Sequence, residues 1–183
     1  MDQGLIPRRY AKALYILASE KGKDADLYAA MNNLADAFGQ SPDMQKTMAN
    51  PYVDAADKLA LVAAASAGNP DAGAIVSDLV KLLEKNRRME YLRDIALAYV
   101  EIYRRSHSIH KVDITSAAPL QPAELQRIQK LVSNHLPAGA TAEFNQAVNP
   151  GLIGGFSIAI DNELLDATVA GDLKQLRLKL LSH

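Results

Sequence analysis

Cysteine is absent from the 183 residues, and so is tryptophan. The missing thiols exclude disulfides, Cys-ligated zinc, iron–sulfur clusters and a thiol nucleophile together. Aromatic residues of every kind amount to only 5% of the chain. That scarcity argues against a β-sandwich core and favours helices packed through Ala and Leu. An excess of one charge sign is missing too. Residues 1–105 carry 14 Lys/Arg against 14 Asp/Glu, residues 106–183 carry 6 against 7, and the net charge is −1. Nucleic-acid binding draws most of its affinity from a basic stripe that neutralises phosphates, so no nucleic-acid partner is expected. Local pairs such as Arg8-Arg9 and Arg87-Arg88 remain able to make individual contacts. No run approaches the roughly 20 apolar residues that a bilayer requires, and the N-terminus lacks the apolar core of a signal peptide. A cytoplasmic protein is expected, or one peripheral to a membrane through partners without direct insertion.

What is present is the balance of a folded globular protein, 49% hydrophobic and 22% charged. The first part reads as six helices punctuated by proline and glycine. Pro7 occupies the first turn of a helix whose apolar positions Ile6, Tyr10, Leu14 and Leu17 run to Gly22. A second helix spans about Asp24 to Phe38. Ser41-Pro42 opens a short third that stops at Asn50-Pro51. Asp54 caps a fourth, carrying Leu59, Leu61 and Val62, which stops at Gly68-Asn69-Pro70. The fifth, from Asp71, carries Ile75, Val76, Leu79, Val80, Leu82 and Leu83, and a sixth holds Met89, Leu92, Ile95, Tyr99 and Ile102. Near residues 105–111 the period changes. Val112 and Ile114 alternate with polar neighbours as a half-buried strand. Leu120-Gln121-Pro122 starts a helix in which Glu124 reaches back to the first N–H groups, with Leu125, Ile128, Leu131 and Val132 facing inward. Ala142 and Phe144 suggest a strand, Phe156, Ile158 and Ile160 another, and Leu164 to Val169 an antiparallel return. Leu173, Leu176 and Leu180 mark a closing helix. The expected architecture is mainly α: a six-helix bundle over residues 1–105 followed by a small α/β domain over 106–183.

No catalytic constellation assembles along the chain, so no catalytic residue, metal or cofactor is expected. His107 and His110 share i, i+3 spacing but have no acidic third ligand at motif spacing, and a solvated junction is the better reading. No Gly-x-Ser-x-Gly elbow is present. The cluster Gly151-Leu152-Ile153-Gly154-Gly155 precedes a strand rather than a helix and has no nearby Lys, which suits positive φ in a turn better than a phosphate loop. Asp161, Glu163 and Asp166 fall in an expected hairpin as solvated turn-formers, without the apolar pocket that a general acid needs.

Two helices are apolar over a wider arc than one core requires. A stripe about 100° wide suffices for packing on one side. On the fifth helix Leu82, Ile75, Leu79, Leu83, Val76 and Val80 spread over roughly 160°, and on the first Ala13, Ile6, Leu17, Tyr10, Leu14, Ala18 and Ala11 do the same. Either these are central helices touched on two sides, or part of the surplus forms a groove for an amphipathic helix of another protein. A connector without chemistry follows in both cases. A helical adaptor for some other amphipathic helix stays open, whereas a helical RNA-binding protein lacks its basic stripe.

The segment Ile6-Pro7-Arg8-Arg9-Tyr10-Ala11-Lys12-Ala13-Leu14-Tyr15 resembles the opening signature of the delta subunit family of F-type ATP synthases, whose mitochondrial counterpart is the oligomycin-sensitivity-conferring protein. The resemblance continues through Asn50-Pro51 with Lys58, through Leu82-Leu83-Glu84-Lys85-Asn86-Arg87-Arg88, and through Ile114-Thr115-Ser116-Ala117. It closes on Asn149-Pro150-Gly151-Leu152-Ile153-Gly154-Gly155 and Asp166-Ala167-Thr168-Val169. Each piece is weak by itself; together, in order and on a chain of matching length, they are specific. Pro7 stands where the family usually has Ala, and Ala167 where Gly is common.

The resemblance implies a non-catalytic peripheral-stalk subunit that couples rotation to ATP synthesis and proton transport by holding the catalytic head still. It implies a groove for the N-terminal helix of an alpha subunit, carried over to Ile6, Tyr10, Leu14 and Leu17 with Ile75, Leu79 and Leu83. It implies contact between the second domain and the C-terminal end of the b subunit, for which Leu173, Leu176 and Leu180 are the candidates. No nucleotide site is implied. The location implied is peripheral, on the cytoplasmic face of a bacterial inner membrane.

Overall fold

The computed structural model describes residues 4–66, 70–137, 139–152, 154–161 and 163–168. They form two compact units, Met1–Arg104 and Arg105–His183.

The first unit is helical throughout. It contains α1 (Leu5–Glu20), α2 (Asp24–Gln40), α3 (Pro42–Ala49), α4 (Ala55–Ala65), α5 (Pro70–Lys85), a single 3-10 turn at Met89–Tyr91, and α6 (Leu92–Ser106). Helix α2 is the hub. Its apolar residues Leu27, Ala30, Met31, Leu34 and Phe38 follow 3.6-residue spacing and are all buried, and the helix runs against α1, α3, α4 and α5. The C-terminal half of helix α6 is held to the start of α2. The Tyr99 hydroxyl donates to the backbone oxygen of Asp24 at 3.2 Å, where the first turn of α2 begins. Farther along, Tyr103 stacks on Tyr28 with ring centroids 4.3 Å apart, and Arg104 Nε donates to the Tyr28 hydroxyl at 3.0 Å.

Helix α4 buries only part of its apolar set. Of Leu59, Leu61 and Val62 only Val62 is fully buried, and Lys58 is buried beside it at 3% exposure. The Lys58 ammonium lies 3.4 Å from the Glu84 carboxylate of α5. A buried ammonium is tolerated only when paired, so this ion pair and the packing of α4 on α5 set the rotation of the helix.

The second unit contains β1 (Ile109–Ser116), α7 (Pro122–His135), β2 (Thr141–Val148), β3 (Gly155–Ile160) and β4 (Glu163–Thr168). The four strands form one sheet in the order β2-β1-β3-β4. Strands β1 and β2 are parallel, joined through α7, while β1–β3 and β3–β4 are antiparallel. Helix α7 starts as expected, with the Gln121 N–H donating to Glu124 Oε2 at 3.0 Å. One sheet face carries Val112, Ile114 and Ile158, and these pack with Ile128 and Val132 of α7 into a small core. Leu131 does not join them; it is 66% exposed. At 100° per residue it sits about 90° from the face defined by Leu125, Ile128 and Val132, beyond the reach of a sheet packed on one side. The expected closing helix with Leu173, Leu176 and Leu180 lies outside the described residues.

Candidate partner-binding surface

The two wide apolar helices resolve differently. In α5 the residues Ala72, Ile75, Val76, Leu79, Val80 and Leu83 are all buried, because α2 and α4 pack against it from different sides. Its apolar width is used up inside the bundle, with one exception: Leu82 remains 46% exposed. In α1 the buried residues are Pro7, Ala11, Leu14 and Ala18. A second stripe lies about 100° around the same helix: Ile6 and Tyr10 are half-buried, Ala13 is exposed, and Leu17 is 39% exposed. The surplus on α1 therefore stays on the surface.

The Tyr10 hydroxyl joins the two helices. It accepts from Asn86 Nδ2 at 3.4 Å and from Arg88 Nη1 at 3.2 Å, both just beyond the end of α5. Asn86 lies one turn after Leu82, on the same side of the helix. The candidate residues thus fall into two sets. Leu14, Ile75, Leu79 and Leu83 are buried in the core, whereas Ile6 and Tyr10 are half-buried and Leu17 is exposed. Leu82, on the apolar arc read from sequence but not among the groove residues carried over from the family, is an exposed large apolar residue of α5. The signal that could have found it was present: it sits at the edge of the apolar arc, where a helix that is only partly enclosed leaves residues uncovered.

The chemically suggestive clusters have structural uses. His110 Nδ1 lies 2.6 Å from Asp161 Oδ2, and Asp161 Oδ1 accepts the Lys111 N–H at 3.1 Å; the group ties the start of β1 to the turn after β3. His107 is exposed in the turn beyond α6. No group of three metal-ligating side chains occurs among the described residues. The glycine cluster makes a 3-10 turn at Pro150–Leu152 and enters β3 through Gly155, whose φ of 78° is the positive value that glycine adopts freely. A cleft of about 350 Å³ where the start of α1 meets α6 is lined by Pro7, Arg8, Asp94, Leu97 and Glu101 among others. It brings no nucleophile next to a base.

Comparison with known proteins gives these surfaces a context. The family model described as ATP synthase delta (OSCP) subunit matches residues 6–180. The chain belongs to that family. A delta subunit from Parabacteroides distasonis is 34% identical over 183 residues, covering 100% of this chain and 99% of that protein. Another from Bacteroides thetaiotaomicron is 32% identical over 177 residues, covering 97% and 94%. In fold, this delta-family chain is similar to a chain in a cryo-EM structure of the Toxoplasma gondii mitochondrial ATP synthase hexamer, with a TM-score of 0.69 at 22% identity over 96% of this chain and 97% of that one. The six helices followed by a small mixed sheet are the fold common to both.

Proposed function

We propose that this chain clamps the catalytic head of an F-type ATP synthase to the membrane-anchored stalk by holding one helical partner in each of its two units. The chain is a non-catalytic stator subunit, as its membership of the delta (OSCP) family establishes, and it is a peripheral component of the membrane complex. No helix among the described residues is long and apolar enough to cross a bilayer. The finer reading is that the N-terminal helix of an alpha subunit lies along α1 and α5. It contacts Ile6, Tyr10, Leu17 and Leu82, while Leu14, Ile75, Leu79 and Leu83 form the floor beneath. The b subunit end meets the C-terminal segment through Leu173, Leu176 and Leu180, and the protein works on the cytoplasmic face of a bacterial inner membrane.

The observation that carries this reading is the stripe on α1 that remains uncovered after the helix has packed. An amphipathic helix laid on it would bury apolar area on both sides and release slowly. Two partners within one assembly raise the effective concentration of each, so the head resists being dragged round by the rotor without any single contact being very tight.

The test uses exposed positions. Leu17→Glu and Leu82→Glu should each weaken calorimetric binding of an alpha N-terminal peptide by about tenfold or more, with melting temperature nearly unchanged. Unchanged affinity in both folded variants would sink the groove assignment. Leu79 is unsuitable, since it is 3% exposed and a buried carboxylate there would unfold the bundle.

A further inference from the structure

Helices α1 and α5 end with the same backbone motif. After α1, the Lys23 N–H donates to the Ala18 oxygen at 2.8 Å and the Gly22 N–H to the Ser19 oxygen at 3.1 Å; after α5, the Arg88 N–H donates to the Leu83 oxygen at 2.8 Å and the Arg87 N–H to the Glu84 oxygen at 3.0 Å. This closure requires a left-handed residue just past the helix. Gly22 supplies it at φ +62°, and Arg87 supplies it at φ +55°. Glycine adopts this conformation without steric penalty, while a Cβ crowds the following carbonyl. The same chain thus uses the unstrained residue at one helix end and a strained one at the other.

Arg87 is exposed, and among the described residues its guanidinium has no hydrogen-bond or ion-pair partner. Its two neighbours are engaged, since Asn86 and Arg88 both hold the Tyr10 hydroxyl. Arg87 therefore stands at the end of the seam between α1 and α5 on a turn anchored from both sides. The turn is basic, with Lys85, Arg87 and Arg88 in four residues, and of the two acids three residues from Arg87, Glu84 already faces the buried Lys58.

We propose that Arg87 is a partner-contact residue, its guanidinium pairing with a carboxylate on the helix that occupies the α1/α5 seam and so setting the register of that helix. The inference rests on the docking reading above. An amphipathic helix with an acidic residue beside one end of its apolar stripe satisfies both the uncovered apolar surface and the basic turn. Guanidinium forks recognise carboxylates with two parallel hydrogen bonds, which gives orientation more than raw affinity at an exposed rim.

The full chain and its Arg87→Gly variant are compared by thermal melting and by titration with two peptides: the alpha N-terminal segment, and the same segment with Asp and Glu replaced by Asn and Gln. Arg87→Gly is expected to raise the melting temperature by roughly 2–5 °C. It is expected to weaken the acidic peptide by about two- to fivefold, the range of an exposed ion pair, and to bind the amide peptide as the wild type does. Equal affinity of both proteins for the acidic peptide overturns the proposal. So does a fall in melting temperature, which would show that Arg87 serves the end of α5 rather than a partner. Failure of the docking reading is seen separately, as indifference of the acidic peptide to Leu82→Glu.

Discussion

Tyr99 shows how much a single side chain contributes to this bundle. Its ring is buried in the core of α6 and its hydroxyl holds the first turn of α2. Burial, and after it the charge of Asp24, pushes its pKa well above the ordinary value of 10.0, so the hydroxyl stays a donor. The unfolded chain releases this proton from about pH 10 upward while the folded protein retains it, and stability therefore falls as pH rises through that range. Tyr99→Phe should cost about 1 kcal/mol at neutral pH. Its stability should then decline less steeply than that of wild type between pH 9 and 11, as read from urea unfolding at each pH. Lys58 makes the complementary point. A charged residue in the middle of an apolar helix reads as solvent-facing, yet it is buried because Glu84 is within reach on the neighbouring helix, a fact that only the packed bundle contains.

At the scale of elements, periodicity locates helices and strands well but ranks their faces poorly. The helix starts at Asp24, Pro42 and Pro122 follow local capping and proline rules that the chain itself displays. The facing of α4 and α7 is different, because each touches neighbours over only part of its apolar arc. For α7 the consequence is measurable. Ile128→Ala should destabilise by about 2–4 kcal/mol because it empties part of a small core. Leu131→Gln should change stability by less than about 0.5 kcal/mol because that side chain is in water. Chemical denaturation of both variants distinguishes these outcomes, and equal effects would mean that Leu131 is covered in solution.

At the scale of the whole molecule, the chain builds two separate cores. The bundle core is built from residues before Arg105, and the sheet core from Val112, Ile114, Ile128, Val132 and Ile158. Damage to one should leave the other's binding intact. Ile114→Ala, at a site 1% exposed, should lower the stability of the second unit by about 2–4 kcal/mol without altering affinity for the alpha peptide. A parallel loss of affinity in calorimetry would show that the units fold as one.

The amino-acid sequence by itself determined the composition-level exclusions, the six helices, the change of period near residue 106 and the family signature. All of these depend on local propensity and on motifs read along the chain. Tertiary structure alone decided which part of the apolar surplus remains available. Helices α1 and α5 look equally wide on a helical wheel, yet neighbours bury most of the arc of α5 and leave one stripe of α1 only partly covered. Enclosure depends on which helices pack against which, and helical period carries no information about neighbours distant in sequence. That is why Leu82 is exposed while Leu14, Ile75, Leu79 and Leu83 are buried.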